Sequence, residues 1–168
     1  MIKNKVRLNH DLPMGELLDT AINELRAMAR SLHQIQLEKL GLAKVIKLLL
    51  NQIDRETELF VSSQIDELEN SSDKITELQI YRIFQESINN ILKHAEASAI
   101  QVSLRHSKTE IELIVSDNGK GFDFSEKYND FQSLGLKTPK ERTAAIQGTM
   151  KVTSEKGNGT VLSFSVNV

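Results

Sequence analysis

The chain has 168 residues, no cysteine and a formal net charge of -2, which excludes a disulfide framework, thiolate metal sites and thiol catalysis, and leaves no electrostatic footprint for nucleic acid or an anionic membrane. Its length suits one good-sized core with an appended element, since domains cluster near about 100–150 residues. No apolar stretch approaches the roughly 18 residues of a membrane span and no signal-peptide core opens the sequence, so the chain is expected to be soluble and, lacking thiols, to suit the cytoplasm.

Pro13 and Gly15 mark the start of a helix in which Leu18, Ala21, Leu25, Met28, Leu32 and Ile35 alternate steps of three and four. That is the seam of a helix packed lengthwise against other helices, although so short a run also suits packing on its own domain. Gly41 breaks it. Leu42 to Ile53 then reads as helix, Glu58 to Ser62 as strand and Ile75 to His94 as helix, while Ile100–Leu104 and Ile111–Val115 read as paired strands. A polar, lid-like segment runs from Lys120 to Gln132. A short helix from Pro139 to Gln147 follows, with Thr138 at the N-cap, Pro139 at N1 and Glu141 at N3. Strands Met150–Ser154 and Thr160–Val166, joined by a Gly157-Asn158-Gly159 turn, close the chain. Helices segregated against a largely antiparallel sheet predict an α+β fold, a two-layer α/β sandwich preceded by a long N-terminal helix.

The helix over 75–94 carries two faces. Ile80, Phe84, Ile88, Ile91 and Ala95 follow a core-facing stripe, so Glu86, Asn90 and His94, four apart, form a polar stripe with Lys93 beside Asn90. Amphipathy alone would mark an ordinary surface helix. Asp117-x-Gly119-x-Gly121 ends a strand and could be a tight hairpin. The stretch after it, Phe122 to Phe131, is too polar and irregular for a partner strand, so these glycines open a loop instead. There an ionised Asp117 can accept from an exocyclic amine, and glycines without Cβ let the backbone come close to a ligand. Gly135 and Leu136 precede a helix start, whose free N–H groups can hold phosphate. Gly157-Asn158-Gly159-Thr160 is a hairpin by default.

The order Glu-x-x-x-Asn-x-x-Lys-His, Asp-x-Gly-x-Gly, Gly-Leu before a helix, then Gly-x-Gly-Thr resembles the N, G1, G2 and G3 boxes of the GHKL, or Bergerat, ATP-binding fold. That superfamily joins sensor histidine kinases to gyrase-type, Hsp90-type and MutL-type ATPases. Gln85 to Ala95, the short lid and Lys140-Glu141-Arg142 look most like the histidine kinases that partner LuxR/NarL-type response regulators. Upstream, Glu24-Leu25-Arg26 and Leu32 to Leu42 resemble the second dimerisation helix of that group and its junction to the ATP domain, dividing the chain into 1–40 and 41–168.

The resemblance implies a role for each matching residue. Asn90 would be the side-chain ligand of Mg²⁺, Asp117 would hold adenine, Glu86 would stand at the ATPase general-base position, and Lys93 would neutralise phosphate. His94 would support the pocket or lid. Gly119, Gly121, Gly135 and Gly159 would shape its walls, with Leu136 at the phosphate side and Thr160 beneath the base. ATP and Mg²⁺ are the implied cofactors. The implied partners are a dimerisation helix of the same or an identical chain, in a homodimer, and a LuxR/NarL-type response regulator. The segment would be cytoplasmic, as the cytosolic portion of a longer sensor. Two departures stand out. Ser133 occupies the place of the first G2 glycine. His10-Asp11 mimics the family's phosphoacceptor pair, but too few residues separate it from Glu24-Leu25-Arg26 for a helix, a turn and a returning helix, and Pro13 follows at once. The phosphoacceptor is therefore expected outside this chain. A self-contained GHKL ATPase and a non-catalytic nucleotide-sensing dimerisation module are the alternative readings.

Overall fold

A computed structural model of the chain describes residues 14–68, 73–123 and 137–168. His10, Ser133, Gly135, Leu136 and most of the lid-like segment lie outside the described residues. The chain divides into two compact units, Met1–Gln36 and Leu37–Val168. Helix α1 (Met14–Leu40) begins in the first and ends in the second, and over the first it presents Leu18, Leu25, Met28, Leu32 and Ile35 to solvent. These are the residues of the expected seam, and within one chain nothing covers them among the described residues.

The second unit is one layer of helices on one face of a five-stranded sheet. Helix α2 (Leu42–Glu56) buries Leu42, Val45, Ile46, Leu50 and Ile53 along one face. Its C-terminus is closed by Thr57, whose N–H and hydroxyl both donate to the Ile53 carbonyl, and whose Oγ1 accepts from Leu59 N–H. That turn occupies residues 57–59. The first strand, β1 (Phe60–Ile65), consequently begins later than the expected Glu58.

Asp73 caps helix α3 (Lys74–Asn90), accepting from the N–H groups of Ile75 and Thr76 at 2.8 Å each. Those bonds hold its carboxyl below the usual carboxylate range. Ile80, Phe84, Ile88 and Ile91 are buried as the periodicity required. The expected helix over 75–94 does not end as an α-helix, however. Ile91–Ala95 form a π-helical turn, and Glu96 leaves it at φ 53°.

Strands β2 (Ala99–His106) and β3 (Glu110–Asp117) form a hairpin, α4 (Lys137–Ala145) returns the chain, and β4 (Thr149–Ser154) pairs with β5 (Thr160–Asn167). Thr138 and Pro139 lie inside the first turn of α4, not at its N-cap and N1 positions. Proline is tolerated there because the first helical N–H groups have no intrahelical partner anyway. The strand order is β1-β2-β3-β5-β4, antiparallel throughout except for the β1–β2 pair. Val102, Leu104, Ile111 and Leu113 are fully buried under the helices, as are Ile46, Ile80, Ile83 and Phe84 above them. Each such side chain contributes roughly 1.5–3 kcal/mol of transfer free energy. On the other face Gln101, Arg105, Lys151 and Thr153 are exposed. With only one face buried, a one-residue slip would invert every side chain, so the register is pinned.

Candidate functional site

Two rows across the inner sheet face define a cavity of about 340 Å³, within the range of small-molecule sites. The deeper row is apolar. Val115, Leu162 and Val152 stand opposite one another on β3, β5 and β4. The next row, where the strands reach the loops, is polar: Asp117 and Thr160 line the cavity, and Ser154 continues the row behind its wall. Ser87 and Asn90 from α3 and Ile91, His94 and Ala95 from the π turn cover these rows, and Lys120, Gly121 and Phe122 stand at the side. A slot with an apolar floor and polar groups at one end suits a flat heterocycle that carries hydrogen-bonding groups on its edge.

The loops around this slot are braced by backbone. Asn118 Oδ1 accepts from the N–H groups of Ser98 and Ala99 at 2.9 Å each, and its Nδ2 donates to Ser98 Oγ. Lys120 N–H donates to the Ala95 carbonyl at 2.8 Å, while its ammonium pairs with exposed Glu96 at 2.6 Å. Gly157 N–H donates to the Lys120 carbonyl at 2.7 Å. Gly119 is buried in this contact, where any Cβ would collide with the Ala95 carbonyl. Gly159 takes φ +72° and presses on the Asp117 carbonyl. These glycines thus let backbone approach backbone. Gly159→Ala combines a left-handed residue with an overpacked contact, and is expected to destabilise the fold by about 2–4 kcal/mol. Urea denaturation checks this, and a loss below ~1 kcal/mol would mean that the turn can relax.

Asp117 is half-buried, and burial pushes its carboxyl above the usual aspartate range, partly offset by backbone N–H bonds from Gly119 (2.8 Å) and Thr160. It is an acceptor held in an apolar setting, where a matching donor is worth most.

Of the expected site residues, the structure brings Asn90, His94, Asp117, Gly121 and Thr160 to the cavity wall. Gly119 and Gly159 lie just behind it, as the contacts above describe. Glu86 is partly buried one turn before Asn90, and Lys93 is exposed; neither lines the cavity. The widened turn at Ile91–Ala95 keeps His94 at the wall and leaves Lys93 outside. Sequence reasoning missed Val115, Val152 and Leu162, which read as ordinary core, although period two places Val115 with Asp117 and Leu162 with Thr160 on one face. It also missed Ser154, whose hydroxyl gathers three partners behind the wall.

Among the described residues no group of three or more His, Asp or Glu could hold a metal. Mg²⁺ is usually held by one or two protein oxygens and completes its shell with water and phosphate. Asn90 offers one such oxygen at the cavity wall, with Glu86 a turn away.

The family of histidine kinase-, DNA gyrase B- and HSP90-like ATPases matches residues 75–168, a span that contains every lining residue of the cavity. The signal transduction histidine-protein kinase/phosphatase DegS of Brevibacillus brevis is 29% identical over 156 residues, covering 92% of this chain and 40% of its own. The sensor histidine kinase LiaS of Bacillus subtilis (strain 168) is 32% identical over 148 residues, covering 88% of this chain and 40% of its own. Among solved structures, the Erythrobacter litoralis EL346 blue-light activated histidine kinase has the same fold, with a TM-score of 0.69 at 18% identity over 90% of this chain and 49% of that one. The chain therefore spans about two-fifths of the length of these curated relatives.

Proposed function

Because the chain belongs to the histidine kinase-, DNA gyrase B- and HSP90-like ATPase family, we propose that it is the ATP-binding catalytic core of a two-component sensor histidine kinase. The cavity binds Mg-ATP, and the γ-phosphoryl group passes to a histidine outside this chain for relay to a response-regulator aspartate. The observation that carries this reading is the polar row of Asp117 and Thr160 above an apolar floor, facing Asn90 across the slot.

In this reading each residue has a task. Asp117 accepts from the adenine amine, while Val115, Leu162 and Ile91 enclose the ring faces. Asn90 holds Mg²⁺, which when bound draws charge from the phosphate oxygens, and Glu86 orients water beside it. Lys93, at the exposed edge, attracts the phosphates, and Gly135 and Leu136 belong to the phosphate-side loop. Phosphoryl transfer demands chiefly positioning and charge stabilisation, which this set supplies. The exposed seam of α1 pairs with dimerisation helices in a homodimer, since an apolar heptad stripe is costly in water and self-complementary. The cognate regulator is of the LuxR/NarL type, and the segment works in the cytoplasm; among the described residues no helix is long and apolar enough to cross a membrane.

With labelled ATP and Mg²⁺ the chain alone is expected to form no acid-labile phosphohistidine, and to transfer label once a dimerisation helix bearing the acceptor histidine is supplied. The acceptor must present its imidazole in line with the γ-phosphate from a rigid platform. Steady ATP hydrolysis without transfer would favour the self-contained ATPase. Absence of nucleotide binding would overturn the reading entirely.

A further inference from the structure

A hydroxyl behind the cavity wall sets the polarity of one that lines it. Ser154 stands across from Thr160 in the β4–β5 register. Its Oγ donates to the Gly159 carbonyl at 2.8 Å, accepts from Phe122 N–H at 3.0 Å and lies 3.0 Å from Thr160 Oγ1. A serine hydroxyl has one proton and two lone pairs. With that proton on the Gly159 carbonyl, Ser154 can meet Thr160 only as an acceptor. The Thr160 proton then points at Ser154, away from the cavity, and the oxygen turns its lone pairs inward. Its neighbour in the row is Asp117, which when ionised can only accept. The polar end of the slot thus offers two acceptors side by side. An exocyclic amine, with its two N–H groups, complements that pair, whereas a carbonyl oxygen in the same place meets lone pairs and leaves every group unpaired.

We propose that Ser154 is a specificity-determining positioning residue, which by holding the Thr160 hydroxyl as an acceptor beside Asp117 makes the cavity select a 6-amino purine nucleotide over a 6-oxo purine nucleotide. This rests on the reading of the cavity as a purine nucleotide site. It assigns a task to a side chain that touches no ligand, and it makes discrimination depend on the direction of one proton. Without the Ser154 hydroxyl, the Thr160 proton is free to rotate into the cavity and donate to a 6-oxo group.

The test compares Mg-ATP with Mg-ITP, whose base carries oxygen where adenine carries the amine, by titration calorimetry on the whole chain. The unchanged protein is expected to prefer ATP. Ser154→Ala should shrink the ATP-to-ITP affinity ratio by about tenfold, the worth of one hydrogen bond exchanged for a mismatch. Ser154→Thr keeps the hydroxyl on a β-compatible side chain and should restore the ratio. Should Ser154→Ala fail to fold, Thr160→Val gives the independent arm, since removing the acceptor itself must lower the ratio by a similar factor. If Ser154 merely tied the Phe122 loop to the turn, Ser154→Ala would weaken both nucleotides in parallel. A ratio within twofold of the original in Ser154→Ala, or in Thr160→Val, overturns the proposal while leaving nucleotide binding intact. An unchanged chain that binds neither nucleotide overturns the site itself, and the proposal with it.

Discussion

Asp117→Asn is expected to weaken ATP binding by about a hundredfold without lowering the melting temperature of the ligand-free protein. The carboxylate is acceptor-only, and an adenine amine facing it forms a charge-assisted bond worth about 1.5–3 kcal/mol. An amide presents a donor towards a donor and forfeits that bond. The stability half follows from the direction of the titration shift. Burial raises the Asp117 carboxyl in the folded state, so its contribution to stability is fully present below the unfolded value and is lost as pH rises through the folded one. At neutral pH the ionised, half-buried group therefore opposes folding, and the neutral amide relieves that opposition while its oxygen can still accept from Gly119 N–H. Affinity in the unchanged protein should also decline on acidification sooner than an ordinary aspartate would dictate, a decline the Asn variant lacks. Calorimetry across pH and thermal denaturation check both halves. Unaltered affinity in the variant removes Asp117 from the adenine site.

Asn90→Ala is expected to abolish the gain in nucleotide affinity that Mg²⁺ confers, bringing the ratio of affinities with and without metal close to one. Asn90 is the last residue of α3 and faces the cavity, whereas its neighbour Ile88 faces the core. Alanine is the best helix former, so the truncation leaves the packed face and the helix in place. Unchanged thermal stability together with lost metal dependence marks a ligand. A retained metal-dependent gain excludes Asn90 from that role, and unfolding would assign it to the scaffold instead.

What the sequence could disclose depended on periodicity and on side-chain chemistry. The stripe through Ile80, Phe84 and Ile88 announced a helix with one buried face, and alternation announced β2, β3 and β5. Asp117 and Asn90 stood out as polar groups beside apolar neighbours, whereas Thr160, in a stretch that reads as a hairpin by default, stood out only through the family resemblance. The π turn was not legible, since a hydrophobic stripe with a 3.6-residue period looks the same until the extra residue is inserted. Its effect falls on Lys93, which an unbroken α-helix would set beside Asn90. The parallel pairing of β1 with β2 also escaped, because alternation within a strand says nothing about its partner. Ser154 sits in a strand with ordinary alternation, and its importance comes from Phe122 and Gly159, which only the fold brings to it.

The mixed sheet is also held together unevenly. The β2–β3 hairpin closes through residues 107–109 alone, at little entropic expense, whereas Phe60 can find Ala99 only after the whole of α3 has been laid across the sheet. Strand β1 lies at an edge of the sheet with a single neighbour, β2. Through α2, that strand is also the sheet's nearest link to α1 along the chain. A pull or twist arriving along the backbone from the N-terminal side meets an edge strand with one neighbour first, while the strands that carry Asp117 and Thr160 are held on both sides.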